Sequence, residues 1–372
     1  MLKTIAVAAL AFVALPAQAA EAPLPDGVWR GTVGTLPVHA CLSTGSTYPS
    51  GSYFYLSKLT PIPLQQTGDA KVWKEDYEGK TTWTIAMQGA NRITGSWSDG
   101  KRSLPITLSR QPMGDDGELD GACMSDAYLA PRVTAPRIVP VAASTGKLAY
   151  TRLEYRVGKS FTGVTIASFA LKPERPGDKA INLALRGLLD PAKGSIDYLG
   201  CMKGNIAMMG TDGEFTMAAE PSFASDHYLE ATVREDGSCG GAHPYNGSYM
   251  LIFDRASGKR VEPATWLAAS AIAMKYDKDL DYTERKLTAA FKAVVLRHMT
   301  IDGDPECKDV LADAEQWKIG LAETGLTFEP DLPRVVQACG DIGSVRWAEL
   351  TPWLSPAGKA MRARVEGKPH AL

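Results

Sequence analysis

The run with the most chemical potential in this chain is Cys239–Arg260, CGGAHPYNGSYMLIFDRASGKR, where a glycine-rich turn presents His243 beside Pro244, with Tyr245 and Asn246 next in line. An imidazole in such a turn could act as a base or touch a ligand. General-base work needs a second group that orients the ring, and the local sequence offers none. The simpler reading is a turn side chain that hydrogen-bonds its own loop and holds Pro244 in place. His227, beside Asp226, becomes a partner for His243 only if the strands carrying them pair.

Other chemistries are weaker. Zinc sites place two ligands close together, as in HExxH or CxxC; no CxxC occurs here and no two histidines lie within one helical turn, so no metal or cofactor is expected. Asp277, Asp279 and Asp281 have the opening spacing of a calcium loop, but the sixth place is Tyr282 instead of glycine and the twelfth is Thr288 instead of glutamate. Ser144-Thr145-Gly146-Lys147 matches SxxK, a spacing that needs a helical turn to bring serine and lysine together. It sits at the end of a proline-rich stretch, without SDN or KTG companions, and GxSxG is absent. Trp29, Tyr53, Tyr55, Trp83 and Trp97 offer rings for stacking on sugars, although aromatic residues in small β-domains usually fill cores and cross-strand clusters.

The context for these residues is set by the N-terminus and the cysteines. Met1–Ala20 has a lysine start, an apolar run from Ile5 to Leu15 and an Ala17-Gln18-Ala19 cleavage pattern, which reads as a secretory signal peptide. No later run approaches the roughly 20 apolar residues of a membrane helix, so no integral membrane segment is expected after cleavage. The periplasm is the expected compartment, with secretion as the alternative. Across 372 residues, 40 Lys and Arg balance 42 Asp and Glu, which leaves no basic cluster for nucleic acid. Six cysteines in an exported chain suggest up to three disulfides. Fifteen connectivities are possible; nearest-neighbour pairing, Cys41 with Cys123, Cys201 with Cys239 and Cys307 with Cys339, keeps each bridge inside one structural unit.

Elements fall into two blocks. Runs 28–33, 38–42, 51–59, 71–77, 82–87, 93–98 and 104–108 are rich in β-branched and aromatic residues and are separated by turn formers. They predict a small antiparallel barrel or sandwich over 21–130. Residues 131–147, with three prolines, read as an extended linker. The second block, 148–372, opens with strands at 149–155 and 162–171 and a helix N-capped by Asp178 with Ile181, Leu185 and Leu188 on one stripe. Strands follow at 196–202, 213–217 and 227–233, then a half-buried strand at 249–254. Helices are expected at 266–274 and 283–299. The end reads as strands over 317–328 and 335–338 and a short helix at 347–354. Antiparallel strands mixed with helices make the class α+β.

The Cys239–Arg260 run resembles the extracellular domain shared by RsiV-type lysozyme-sensing anti-sigma factors and PdaC-type cell-wall deacetylases, in which a GGAHP turn leads into a strand ending in "D..TGK". Ile166–Leu189, with its Ile181-Asn182 pair, is similar to the upstream segment of that domain. Leu326–Phe328, Val335 and Val345–Leu350 are similar to its closing part. Gly51–Tyr55 and Ile93–Trp97 look like the β repeats sometimes found ahead of it. The resemblance implies non-enzymatic binding in the cell envelope, with a lysozyme-like muramidase or peptidoglycan as partner and His243, Pro244, Tyr245 and Asn246 at the contact. Neither a sigma-binding segment nor a deacetylase domain is visible. The competing expectations are an envelope enzyme acting on cell-wall glycan or peptide through His243, Asp226 and Asp254, and a purely structural module.

Overall fold

The computed structural model describes residues 25–45, 49–75, 79–114, 121–193, 196–279, 282–300 and 305–366. Met1–Ala20, expected as a secretory leader, Tyr77 and Asp281 lie outside the described residues.

Eight short strands, β1 (Gly27–Val33), β2 (Leu36–Ser43), β3 (Ser50–Tyr55), β4 (Ile62–Gln66), β5 (Val72–Lys74), β6 (Thr82–Met87), β7 (Arg92–Ser98) and β8 (Ser103–Gln111), each pair antiparallel with the next. β8 returns to β1, which closes a barrel and leaves no sheet edge. Alternate residues point inward, and Trp29, Val38, Leu64, Trp73, Trp83 and Leu108 fill the interior. Of the rings considered for sugar stacking, Trp29, Tyr53 and Trp83 are at most 1% exposed. Tyr53 Oη, Trp83 Nε1 and Trp97 Nε1 all donate to one oxygen of Glu75, at 2.6, 3.2 and 2.7 Å, so these aromatics brace the barrel.

A seven-stranded sheet follows: β9 (Arg137–Thr145), β10 (Leu148–Arg156), β11 (Val164–Leu171), β12 (Glu214–Ala224), β13 (Tyr228–Ser238), β14 (Tyr245–Asp254) and β15 (Arg260–Val261), in the order β15-β14-β13-β12-β11-β10-β9. Most of the proline-rich stretch therefore forms the edge strand β9, paired with β10 from Arg137↔Arg156 to Thr145↔Leu148. Edge strands tolerate proline because one row of N–H groups needs no partner, and Pro140 sits there. Ser144 and Lys147 consequently lie on a strand and a turn rather than one helical turn. β11 and β12 run parallel, and their crossover carries α2 (Asp178–Gly187) and α3 (Tyr198–Met209); a short α1 (Asp126–Leu129) precedes the sheet.

Residues 198–202, expected as strand, belong to α3. Short apolar runs do not distinguish buried helix from strand, and the deciding groups are Asp197, whose carboxylate caps Gly200 N, and Gly210, which closes the helix at φ 72°. Downstream, residues expected as two helices form a 3-10 turn at Pro263–Trp266, a hairpin of β16 (Ile272–Asp277) with β17 (Tyr282–Leu287), and only then α4 (Ala289–Leu296). Thr288 caps Phe291 N and sets that helix start. α5 (Pro305–Asp313) leads to a second small sheet, β18 (Trp317–Ala322), β19 (Gly325–Pro330) and β20 (Gly343–Arg346), followed by α6 (Trp347–Leu350) and α7 (Pro356–Val365). Val335–Ala338, expected as strand, lies in a 3-10 turn, Arg334–Cys339. The class is α+β.

The large sheet is covered on both faces. Leu229, Leu251 and Phe253 pack with Ile181, Leu185, Met202 and Ile206 of α2 and α3. Tyr228 and Ile252 pack with the small sheet and its helices. Leu251, Ile252 and Phe253 are therefore all buried, where alternation alone predicts a half-exposed strand. Disulfides close Cys41–Cys123, Cys201–Cys239 and Cys307–Cys339.

Glu230 lies between the two sheets, 3% exposed, and accepts hydrogen bonds from Leu321 N at 2.6 Å and Ser222 Oγ at 2.8 Å. No described Lys or Arg pairs with it. Burial, only partly offset by these donors, pushes its carboxyl up to about 7 from an ordinary 4.5. The folded state thus holds a proton between pH 4.5 and about 7 that the unfolded chain releases. Stability is full below that window and falls by about 3 kcal/mol as pH rises through it. Urea unfolding of Glu230→Gln should lose this component of the pH dependence; the same slope in wild type and variant contradicts the assignment.

Candidate functional site

The GGAHP turn connects β13 to β14, and its shape is fixed from below. The Cys201–Cys239 bridge ties it to α3. Beside the bridge, Gly240 (φ 92°) lies so close to α3 that an added Cβ would sit 2.5 Å from Gly204 O. A side chain at either glycine would push the turn off the helix. Beyond this anchor the turn is open, and His243 is exposed, with no hydrogen bond from its ring to a described residue.

Pro244, Tyr245 and Asn246 line a cleft of about 530 Å³ at this end of the sheet. Its other walls are Asp212 and Glu214 at the start of β12, Asp236 and Gly237 near the end of β13, and Arg334 from the downstream 3-10 turn. Cross-strand register explains the convergence: Asp236 faces Asn246, Gly237 faces Tyr245, and Ser238 faces Glu214. A Cβ on Gly237 would stand 2.9 Å from the Tyr245 ring and 2.6 Å from Glu214 O. The absent side chain at Gly237 lets the tyrosine lie across the strand, 39% exposed. Partial burial, together with Glu235, Asp236 and Asp197, raises the Tyr245 phenol above its ordinary value, and burial also raises Glu235.

Asp212 is committed inward, to Arg132, at 2.8 and 2.5 Å. Glu214 and Asp236 are exposed, without a side-chain partner among the described residues, and Arg334 is the cation lining the same cleft. The result is an acidic opening with one partly exposed aromatic ring lying along its floor and an amide. It suits a cationic surface, or a sugar ring stacked on Tyr245. Among the described residues no group of three or more His, Cys, Asp or Glu is placed to hold a metal ion.

The alternative catalytic set is not assembled. Asp226 and Asp254 lie at the far end of β13 and β14, where Tyr228 faces Asp254, whereas His243 precedes the end where Gly237 faces Tyr245. Nine residues of strand separate these pairs, about 30 Å. Asp226 instead ion-pairs with Arg175, and Asp254 with Arg364 at 3.0 Å. Asp212, Glu214, Asp236 and Arg334 escaped the sequence reading. Asp212-Gly213 and Asp236-Gly237 are turn-type dipeptides at strand ends, a signal that was present; Arg334 arrives from almost 90 residues beyond the turn with no local signal.

Replacing both Cys201 and Cys239 with serine opens a link between residues 38 apart. The expected loss is about 4 kcal/mol in denaturant unfolding, with faster amide exchange over 239–246. Unchanged stability and exchange contradict the anchoring role.

No protein-family model matches the chain, and no curated protein matches it. Among solved structures it is similar to a DUF3298 family protein from Pseudomonas aeruginosa PAO1, at 13% identity and TM-score 0.35, over 60% of this chain and 96% of that one. It is likewise similar to a DUF3298 family member from Bacteroides fragilis NCTC 9343, at 13% identity and TM-score 0.35, over 62% and 98% of the two chains.

Proposed function

We propose that this chain is an exported cell-envelope binding protein that uses the acidic cleft beside the GGAHP turn to hold a basic partner, a lysozyme-like muramidase. The observation that carries the reading is the combination of two exposed carboxylates, Glu214 and Asp236, outnumbering the cleft's Arg334, with the exposed ring of Tyr245 on a turn fixed by a disulfide. A preformed aromatic anchor with charges at its rim is what a protein interface needs: the ring supplies contact area and the carboxylates steer a cationic surface. If the partner's catalytic groove is what docks, the protein acts as an inhibitor. The resemblance of the Cys239–Arg260 run to the lysozyme-sensing domain supports the same partner. Export through Met1–Ala20 and residence in the periplasm belong to this reading, and three disulfides fit an oxidising compartment. Tyr245 beside Asn246 also supports a second reading, in which peptidoglycan sugars stack on the ring.

Titration with c-type lysozyme and with purified peptidoglycan separates the two, with muramidase activity followed in the same samples. Lysozyme binding should be saturable and weaken with salt. Tyr245→Ala should cost about 2 kcal/mol, or about thirtyfold in affinity. Asp236→Asn should mainly slow association. Full affinity in a folded Tyr245→Ala variant rejects this cleft, and absence of binding to both ligands rejects the function.

A further inference from the structure

The opposite end of the large sheet opens into a second crevice, of about 440 Å³. It lies beyond the carboxyl ends of β11 and β12, the parallel pair of the sheet, and against the β9–β10 turn. Crevices outside the carboxyl ends of parallel strands are where open sheets with helical crossovers hold small ligands. β12 is eleven residues long, so about 35 Å separates this crevice from the acidic cleft.

Its charge is opposite in character. Lys147, Lys172, Arg175 and Arg255 line it, against Glu174 and Asp226. Arg255 is a fixed floor: Nε and Nη2 donate to the Asp178 carboxylate at 2.8 and 2.7 Å, and Nη1 donates to Ser225 O at 2.8 Å. Arg175 is paired with Asp226. With Asp178 included, four cations meet three carboxylates, a net charge of +1. The surplus falls on Lys147 and Lys172, which have no hydrogen-bond or ion-pair partner among the described residues. Register explains their convergence. Tyr150 faces Leu171, so Lys172 leaves β11 opposite the start of β10, and Lys147 sits in the turn just ahead of that start. Two exposed ammonium groups thus overhang a wall held rigid by a buried guanidinium.

We propose that this crevice binds a small oxyanion-bearing ligand, phosphate or carboxylate, gripped by Lys147 and Lys172 over the Arg175 and Arg255 wall. Each lysine contributes a point charge with three rotatable donors, suited to an oxyanion of varied geometry. The site is independent of the acidic cleft and of the partner assigned there.

Calorimetric titration of the full chain with inorganic phosphate and, separately, with citrate, at low ionic strength in chloride buffer, tests the assignment. At least one should bind at a single site, with affinity that falls as salt is added. The Lys147→Gln, Lys172→Gln double variant should bind about tenfold more weakly with an unchanged melting temperature. Asp236→Asn, at the other end of the sheet, should change nothing. Phosphate binding alone identifies a phosphate ligand, and citrate binding alone a polycarboxylate. Failure of both anions to bind, or binding undiminished in the double variant, overturns the proposal.

Discussion

The structure depends on one ion pair, between a fully buried guanidinium and a carboxylate that reaches the wall of the acidic cleft. The Arg132 guanidinium is fully buried and bidentate on Asp212, donates to Ser160 O at 2.9 Å, and lies over the rings of Phe54 and Phe161 at 5.7 and 4.7 Å. Phe54 belongs to the barrel, Phe161 leads into β11, and Asp212 begins the wall of the acidic cleft. One side chain therefore joins barrel, sheet and cleft. Removing Asp212 strands the buried guanidinium and costs about 3–5 kcal/mol, whereas an apolar pair of matching volume can be neutral. Around this pair Tyr128 Oη donates to Ser52 Oγ at 2.9 Å, and Ser52 Oγ donates to Gly210 O at 2.6 Å. The barrel is thereby seated on the end of α3 by directed bonds as well as by apolar contact.

From that seat the functional geometry follows. The Cys201–Cys239 bridge and the Gly204–Gly240 contact fix the turn against the same helix whose end meets the barrel. Covering the sheet on both faces leaves its two ends as the places where strand-terminal side chains meet solvent. One end gathers Glu214, Asp236 and Tyr245; the other gathers Lys147, Lys172 and Arg175. The charges are nearly balanced in total, at −2 for the whole chain, yet they are separated along the strands. Total charge conceals this, since local clefts steer partners by their own sign.

The barrel was legible because its strands are short, β-branched and punctuated by turn formers, so period and punctuation agree. The turn at Gly240–Pro244 and the strand after it were legible for the same reason. Residues 198–202 read as strand because five residues are too short to show the helical burial spacing that the whole element has, at Tyr198, Cys201, Met202, Asn205 and Ile206, and the decision passes to the caps Asp197 and Gly210. The β16–β17 hairpin is hidden because β17 runs directly into Thr288 and α4, and Leu287, the last residue of β17, is in helical step with Phe291, Val294 and Val295, so the helical spacing reads back into the strand. Within the site, Pro244, Tyr245 and Asn246 could be found from the turn that carries them, while His243 points into solvent. Asp212, Glu214 and Arg334 are brought there only by strand pairing and by the packing of distant segments, which no local pattern encodes.

The most direct test of this account is a double-mutant cycle on folding stability between Arg132 and Asp212, using Arg132→Met, Asp212→Leu and the pair together. Each single change should be strongly destabilising and the double change no worse than either, a coupling of at least about 2 kcal/mol. Losses that simply add, within about 0.5 kcal/mol, contradict the claim that this ion pair holds barrel, sheet and cleft as one unit.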